Sequence, residues 1–242
     1  MKKVVGLLAV LLLAVTANAA IQISYQVDGG AVVICSLASS TGPVTCPSVG
    51  GPPLDIISLT AFSNSPGTAV TTKETSATVD LNNSDTVSHT ISISVAAQGF
   101  TTPVTPPNIT LLSHVGGTVL AGSGANLLSY QSCVDTLNGL NTISGGIASC
   151  PAGSIASGVS APAITAGGSF QNDQTGSISS LSAPYALDEV FTITLGAGGD
   201  INFSASTTLS SVPEPASIAL LGGAMVLLTS SRLIRRKRKQ QA

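Results

Sequence analysis

The chain has 242 residues, only 8% of them charged, and its net charge of −2 hides a strong asymmetry. Between Ala20 and Ser211 a single basic residue, Lys73, stands against ten acidic ones. A nucleic-acid surface needs clustered Lys and Arg to displace counterions, so this middle region is excluded as one.

Met1-Lys2-Lys3 is a short positive region, Val4 to Val15 is apolar, and Ala17-Asn18-Ala19 supplies small residues at a cleavage position. These are the three parts of a secretory signal peptide. The apolar run is too short to cross ~30 Å of hydrocarbon comfortably. Residues 1–19 are therefore expected to be a signal peptide, removed after Ala19 with signal peptidase as the partner. No Cys follows the apolar run, so a lipoprotein signal is not supported. Residues 20–211 form the exported passenger, and 212–242 are a separate C-terminal segment.

In the passenger, Ile21 to Val27 alternates apolar and polar residues, as a half-buried strand does. Asp28-Gly29-Gly30 follows and then Ala31 to Leu37; an Asp-Gly turn between two β-prone runs predicts a hairpin. Ala38 to Pro53 is rich in Ser, Gly and Pro and predicts a loop. Asp55 to Phe62 and Thr75 to Leu81 are the next strands. Val87 to Val95 carries the clearest alternation, with Val87, Ile91, Ile93 and Val95 on one face, His89 among them, and Ser88, Thr90, Ser92 and Ser94 on the other. His89 is expected as a satisfied, partly buried histidine rather than a ligand. Thr101 to Pro107 holds three prolines and breaks the pattern. Ile109 to Val119 reads as a short strand or a pair, with His114 in or beside it. Gly122 to Phe170 is rich in Gly, Ser and Ala, and Ala125 to Leu140 is open between a short helix and loop excursions. Ala186 to Leu195 and Ile201 to Ala205, joined by Gly196-Ala197-Gly198-Gly199, predict a second hairpin. Short alternating strands between Gly, Pro and Asn turns make the fold class all-β, an antiparallel β-sandwich. Outward Ser and Thr suit a solvated face.

Four cysteines remain after the signal: Cys35, Cys46, Cys133 and Cys150. An even count in an oxidising compartment predicts two disulfides. Of the three connectivities, Cys35–Cys46 and Cys133–Cys150 are favoured because each closes a short local loop. Metal binding is not expected: there is no C-x-x-C pair, and His89 and His114 stand alone. Asp80-Leu81-Asn82-Asn83-Ser84-Asp85 falls short of a calcium loop, because Asp85 stands where Gly is required and Ile91 where the bidentate Glu should be. G-x-S-x-G, a phosphate loop and G-x-G-x-x-G are all absent. Asp188-Glu189 is not a catalytic pair, because adjacent strand residues point to opposite faces; one solvated acidic position is expected there. No catalytic residue and no cofactor is assigned, and the passenger is expected not to be an enzyme.

At the C-terminus, Val212-Pro213-Glu214-Pro215 leads into the uncharged stretch Ala216 to Ser231, followed by Arg232, Arg235, Arg236, Lys237, Arg238 and Lys239. Residues 216–234 as a helix would be about 28 Å long, enough to span a bilayer if Arg232 snorkels. The basic tail, 232–239, then marks the cytoplasmic side. The two prolines hold the tripeptide extended just above the membrane. The Pro-Glu-Pro tripeptide, apolar span and Arg-rich end together resemble the PEP-CTERM sorting domain. The resemblance covers about 30 of the 242 residues. It implies recognition of Pro213, Glu214 and Pro215, and processing, by an exosortase, a membrane-embedded cysteine enzyme of bacteria that make extracellular polysaccharide.

The sequence thus leads to an exported, non-enzymatic protein, held first in the inner membrane by its C-terminal helix and then placed at the cell surface or in the exopolysaccharide. A carbohydrate- or ice-binding surface module is the alternative. Carbohydrate sites favour exposed aromatics, whereas this chain has no Trp and three Tyr: Tyr25, Tyr130 and Tyr185.

Overall fold

Alternating apolar and polar residues build a chain whose regular elements, among the described residues, are all strands. The computed structural model describes residues 20–38, 43–50, 54–68, 70–105, 107–123 and 126–211. The signal peptide, the Pro213-Glu214-Pro215 motif, the 216–234 span and the basic tail lie outside the described residues. Within them no helix is long and apolar enough to cross a membrane.

The strands are β1 (Ala20–Val27), β2 (Val33–Ala38), β3 (Val44–Cys46), β4 (Asp55–Ser63), β5 (Thr71–Asn82), β6 (His89–Phe100), β7 (Ile109–Ser123), β8 (Asn126–Asp135), β9 (Ile155–Ala156), β10 (Ala163–Ile164), β11 (Ser169–Ile178), β12 (Tyr185–Leu195) and β13 (Ala197–Ser211). They form two sheets. Sheet A runs β10-β8-β12-β6-β1-β2, with β9 also on β8, and sheet B runs β11-β7-β13-β5-β4-β3. Every pairing is antiparallel.

One hydrophobic core lies between the sheets. Ile21 and Ile23 of β1, Ile91, Ile93 and Val95 of β6, and Leu187, Phe191 and Ile193 of β12 face Leu59, Val79, Leu111, Val115, Ile201, Phe203 and Leu209 of sheet B. Phe191 stacks on Tyr130 with ring centroids 4.8 Å apart and meets Phe203 at 5.5 Å. Opposite Phe203, β7 carries Gly117, where an added Cβ would overlap the Asn202 carbonyl and Phe203 itself. Only glycine lets the two strands approach that closely.

Both disulfides have the favoured connectivity. Cys35–Cys46 joins edge strand β2 of sheet A to edge strand β3 of sheet B, with the two Cα atoms 4.9 Å apart. Cys133–Cys150 ties β8 to the loop that follows it. The tip of the first hairpin is also as expected. Asp28 and Gly29 have φ of 49° and 69°, and Gly30 N–H donates to the Val27 carbonyl at 2.9 Å. Two successive residues at positive φ are what an Asp-Gly primed turn supplies.

Several expectations are corrected. Residues 186–205 are not a hairpin: β12 lies in sheet A and β13 in sheet B, so the Gly196–Gly199 turn carries the chain across the core. Ala125 to Leu140 is neither helix nor loop but mainly strand β8. Its inward face mixes Asn126 and Ser132 with Leu128, Tyr130 and Val134, which dilutes the period-2 signal. Ile109 to Val119 is part of one long strand. The predicted 38–53 loop contains β3. Val87 precedes β6 and is exposed, in a loop where Asn83 Nδ2 donates to its carbonyl at 2.8 Å.

Candidate functional site

The outward faces of the two sheets differ. Sheet A's outer face is polar in sequence, with Ser24, Ser92 and Ser94 at its centre, yet these residues are buried. The loop 136–154 covers them. Cys133–Cys150 anchors that loop, and Ile143 and Ala148 pack on Val190 and Cys133 in a second apolar cluster. The expectation of solvated Ser and Thr therefore fails at the centre of this sheet, where a covalently tethered roof takes the place of solvent, while Thr90, Thr192 and Thr194 stay partly exposed. Ser92 Oγ donates to the Gly146 carbonyl at 3.3 Å, and Gln22 Nε2 to the Asn141 carbonyl at 3.4 Å, joining floor to roof.

Asp188 sits beneath this roof. It pairs in register with Ala96 on one side and Cys133 on the other. The expected single solvated acidic position is corrected here: Asp188 and Glu189 are both 0% exposed, the first under the roof and the second in the core between the sheets. Their side chains do take opposite faces, but in this molecule both faces are closed. Burial, and then the charge of Asp135, push the Asp188 carboxyl well above the usual carboxylate range, only partly offset by the Asn141 N–H. That N–H is close enough to act electrostatically, but neither Asp188 oxygen has a partner at hydrogen-bonding geometry. Asp135 lies diagonally across from Asp188 on the same face. It caps the start of the roof, accepting from Leu137 N–H at 2.9 Å and Gly139 N–H at 2.8 Å.

At one end of the sandwich, His89 is held between two carboxylates. Its Nδ1 lies 2.6 Å from Asp28 Oδ2 and its Nε2 3.1 Å from Asp85 Oδ2. Two flanking carboxylates require a proton on both ring nitrogens, because a neutral imidazole would turn a lone pair toward one of them. The hydrogen bond to Asp28 raises the His89 pKa; burial opposes it, and Asp85 adds to the rise. Burial pushes Asp28 up, but the Thr90 N–H and His89 outweigh it and lower its pKa. The Thr86 N–H and then His89 lower that of Asp85. The expectation of a satisfied, buried histidine holds, and the residues that satisfy it come from two separate turns.

This clamp gives a signed pH dependence. The His89 contribution is complete below its unfolded pKa near 6.5 and fades as pH rises through its raised folded value. The Asp28 and Asp85 contributions are present above about 3.9 and fade as pH falls through their lowered values. His89→Gln is therefore expected to lower the thermal midpoint at pH 6, and by about 2–4 °C less at pH 9. Melting curves at the two pH values check this; an equal loss at both would remove the imidazolium from the account.

Inside the core a hydroxyl seam crosses between the sheets. Tyr130 and Ser132 of sheet A meet Ser113 and Thr207 of sheet B. Ser132 Oγ lies 2.6 Å from Thr207 Oγ1 and donates to Ser113 Oγ at 2.8 Å, and Tyr130 Oη lies 2.8 Å from Ser132 Oγ. Burial, and then the charge of Glu189, push the Tyr130 hydroxyl well above its usual range. At the other end from His89, Tyr185 Oη donates to the Thr102 carbonyl at 2.8 Å and also meets Thr72 Oγ1, which itself bonds Thr102 O. Burial raises the Tyr185 hydroxyl to about 12. None of this seam was assigned in sequence, where Ser and Thr are too common to single out.

Sheet B's outer face, by contrast, is open. On it His114 Nδ1 lies 2.6 Å from Asp173 Oδ1, a cross-strand pair between β7 and β11. Gln171, Thr175, Thr118 and Ser204 are exposed beside them. Thr45 and Thr60 hydroxyls meet at 3.1 Å on the same face. Leu112 and Leu120 are its exposed apolar residues on β7. Among the described residues no group of three or more His, Cys, Asp or Glu side chains is arranged to hold a metal ion.

No protein-family model matches the chain, and no curated protein matches it. Among solved structures, it is similar to a chain from the structure of infectious bursal disease virus Gx strain, at 11% identity and a TM-score of 0.28, over 86% of this chain and 52% of that one. The chain thus spans about half the length of the viral chain. It is also similar, at 10% identity and a TM-score of 0.25, to a chain from a structure addressing the promiscuous specificity of carbohydrate-binding modules from the β-sandwich superfamily, over 77% of this chain and 83% of that one. Likeness at this level is no guide to a ligand, so function is read from this chain's own residues.

Proposed function

We propose that this chain is an exported, non-enzymatic surface protein, sorted through its C-terminal segment by an exosortase-type membrane enzyme. The observation that carries the reading is the ordered triple at 212–242: Pro213-Glu214-Pro215, an uncharged span over 216–234, and the basic residues Arg232 to Lys239. The N-terminal signal features at 1–19 and the two disulfides fit an oxidising compartment outside the cytoplasm. In this reading the segment 216–234 first holds the passenger on the outer side of the inner membrane. Recognition of the tripeptide then precedes loss of the tail and transfer to the cell surface or to exopolysaccharide.

The test is processing in the native host. Changing Pro213, Glu214 and Pro215 together to Ala is expected to leave the passenger membrane-bound at full mass. The unchanged chain is expected in the envelope exterior or medium with an N-terminus at Ala20 and the basic tail absent. If the triple variant is processed and located like the original, sorting by this motif is wrong.

A second reading, a carbohydrate-binding surface module, is favoured by the open face of sheet B. Its Gln171, Asp173, His114 and Ser204 side chains offer donors and acceptors on a face that no loop of the described residues covers. The ice-binding variant has less support. Its one T-x-T pair, Thr192 and Thr194, lies on sheet A, and Thr194 Oγ1 is engaged by Thr90 Oγ1 at 2.8 Å.

A further inference from the structure

A carboxylate with no solvent exposure must be neutralised, because an isolated ionised carboxylate in a low-dielectric site is too costly to keep. Asp188 is such a group, and its counter-charge does not come from a side chain of the passenger. The one basic residue of the passenger, Lys73, is exposed on β5 in the other sheet. His89 is engaged by Asp28 and Asp85, and His114 by Asp173 on the outer face of sheet B. That leaves a proton or a bound cation.

Geometry separates the two. A protonated carboxyl needs an acceptor for its O–H, yet neither Asp188 oxygen has a hydrogen-bond partner. The surroundings are instead short of positive charge. Asp135 is the diagonal neighbour on the same face. Ser94, diagonal to Asp188 on β6, is also fully buried with its Oγ unpartnered. Ala96, directly opposite Asp188 on β6, has only a methyl group, and Gln22 of β1 lies on its other side. The Asn141 carbonyl hangs from the roof above, held by Gln22. Asp188, Asp135, Ser94 and the Asn141 carbonyl each present oxygen to this side of the sheet, beside the Asn141 N–H and the Gln22 amide.

We infer that the space between sheet A and the 136–154 loop is a binding site for a calcium-type divalent cation, with Asp188, Asp135, Ser94 Oγ and the Asn141 carbonyl as the ligand oxygens. Hard cations of this kind take oxygen ligands in flexible geometry, and Asp135 can keep its two backbone N–H bonds while offering a remaining lone pair. The site departs from the expectation of no metal, which rested on the absence of a C-x-x-C pair, on the isolated His89 and His114 and on the defective Asp80–Asp85 loop. Sequence alone does not bring Asp135 and Asp188 together, since 53 residues separate them and only the β8–β12 register makes them neighbours.

The test is equilibrium dialysis of the full chain in mild detergent against Ca²⁺ at pH 7.5, with thermal melts in Ca²⁺ and in EDTA. One Ca²⁺ per chain is expected, with a dissociation constant of about 10⁻⁴–10⁻³ M, as in extracellular modules. Asp188→Asn is expected to weaken binding at least ~10-fold by removing one of two ligand charges. Ser94→Ala is expected to weaken it by a smaller factor, and it keeps the proposal testable if Asp188→Asn does not fold. Asp80→Asn, on sheet B, should bind as the unchanged chain does. The inference is overturned if no Ca²⁺ is retained at this site's expected affinity, or if the Asp188 and Ser94 variants both bind unchanged. It is equally overturned if the melting temperature in EDTA rises on acidification while Ca²⁺ has no effect, because Asp188 is then a protonated structural group.

Discussion

Phe191→Ala is expected to cost about 3–5 kcal/mol of folding stability, the range for deleting a fully buried aromatic ring. Phe191 is 1% exposed and sits at the middle of β12, the strand that β6 and β8 both flank. Its ring lies between Tyr130 of its own sheet and Phe203 of the other. Removing it opens a cavity where the sheets meet and takes away two ring contacts, worth about 0.5–1.5 kcal/mol each beyond buried area. It also frees the Tyr130 ring, whose hydroxyl anchors the seam to Ser132 and Thr207. A domain of this kind has about 5–15 kcal/mol in total, so the variant should be marginally folded. Urea titration followed by circular dichroism reads the loss as a lower midpoint at unchanged slope; a loss below about 1 kcal/mol would mean that the core closes over the gap.

The second large effect is expected from Cys133→Ser together with Cys150→Ser. The bridge spans 17 residues, and closing a loop of that size is worth about 3 kcal/mol in the chain-entropy account. The consequence is local as well as global. Without the bridge, the Ile143 and Ala148 contacts and the hydrogen bonds from Ser92, Gln22 and Asp135 hold the roof with no covalent tie, and the buried Ser24, Ser94 and Asp188 gain a route to water. Amide exchange is therefore expected to rise first in 136–154 and in the outward-facing register of β6 and β12, before the core between the sheets opens. Native exchange followed by mass spectrometry checks the order. If 136–154 stays as protected as in the bridged chain, the disulfide is not what holds the roof.

The strands that sequence reveals are those whose two faces differ in polarity. β1, β4, β6 and β12 follow their alternation because one side of each meets the core. The same logic hid the roofed site. Ser92 and Ser94 look like solvent-facing residues because nothing local says that a loop some forty residues further on will lie over them. Asp188 and Glu189 look like one exposed acid for the same reason: alternation gives the side of a strand, not what covers that side. β8 was missed because its inward positions include Asn126 and Ser132, whose partners come from distant strands. The disulfide pairing was legible because both loops are short, and a short loop is the cheapest to close. The two-sheet crossing at Gly196–Gly199 was not, because a glycine turn serves a hairpin and a sheet change equally well.

The two ends of the described chain leave the sandwich on the same side. Ala20 pairs with Gln98, and Ser211 N–H bonds the Val70 carbonyl, both near the Tyr185–Thr72–Thr102 end. The His89 clamp, with its Asp28 and Asp85 turns, is at the opposite end. A tether attached beyond Ser211 would therefore hold the domain upright, with that clamp at its tip. β13, 15 residues long, would reach roughly 50 Å outward at about 3.3 Å per residue. Any pull transmitted along that tether would load β13 in shear against β5 on one flank and β7 on the other, so that two ladders resist together. Peeling one strand from an edge breaks bonds one at a time; drawing a central strand lengthwise must break a whole row at once. The strand that meets the tether is thus the one placed to bear force.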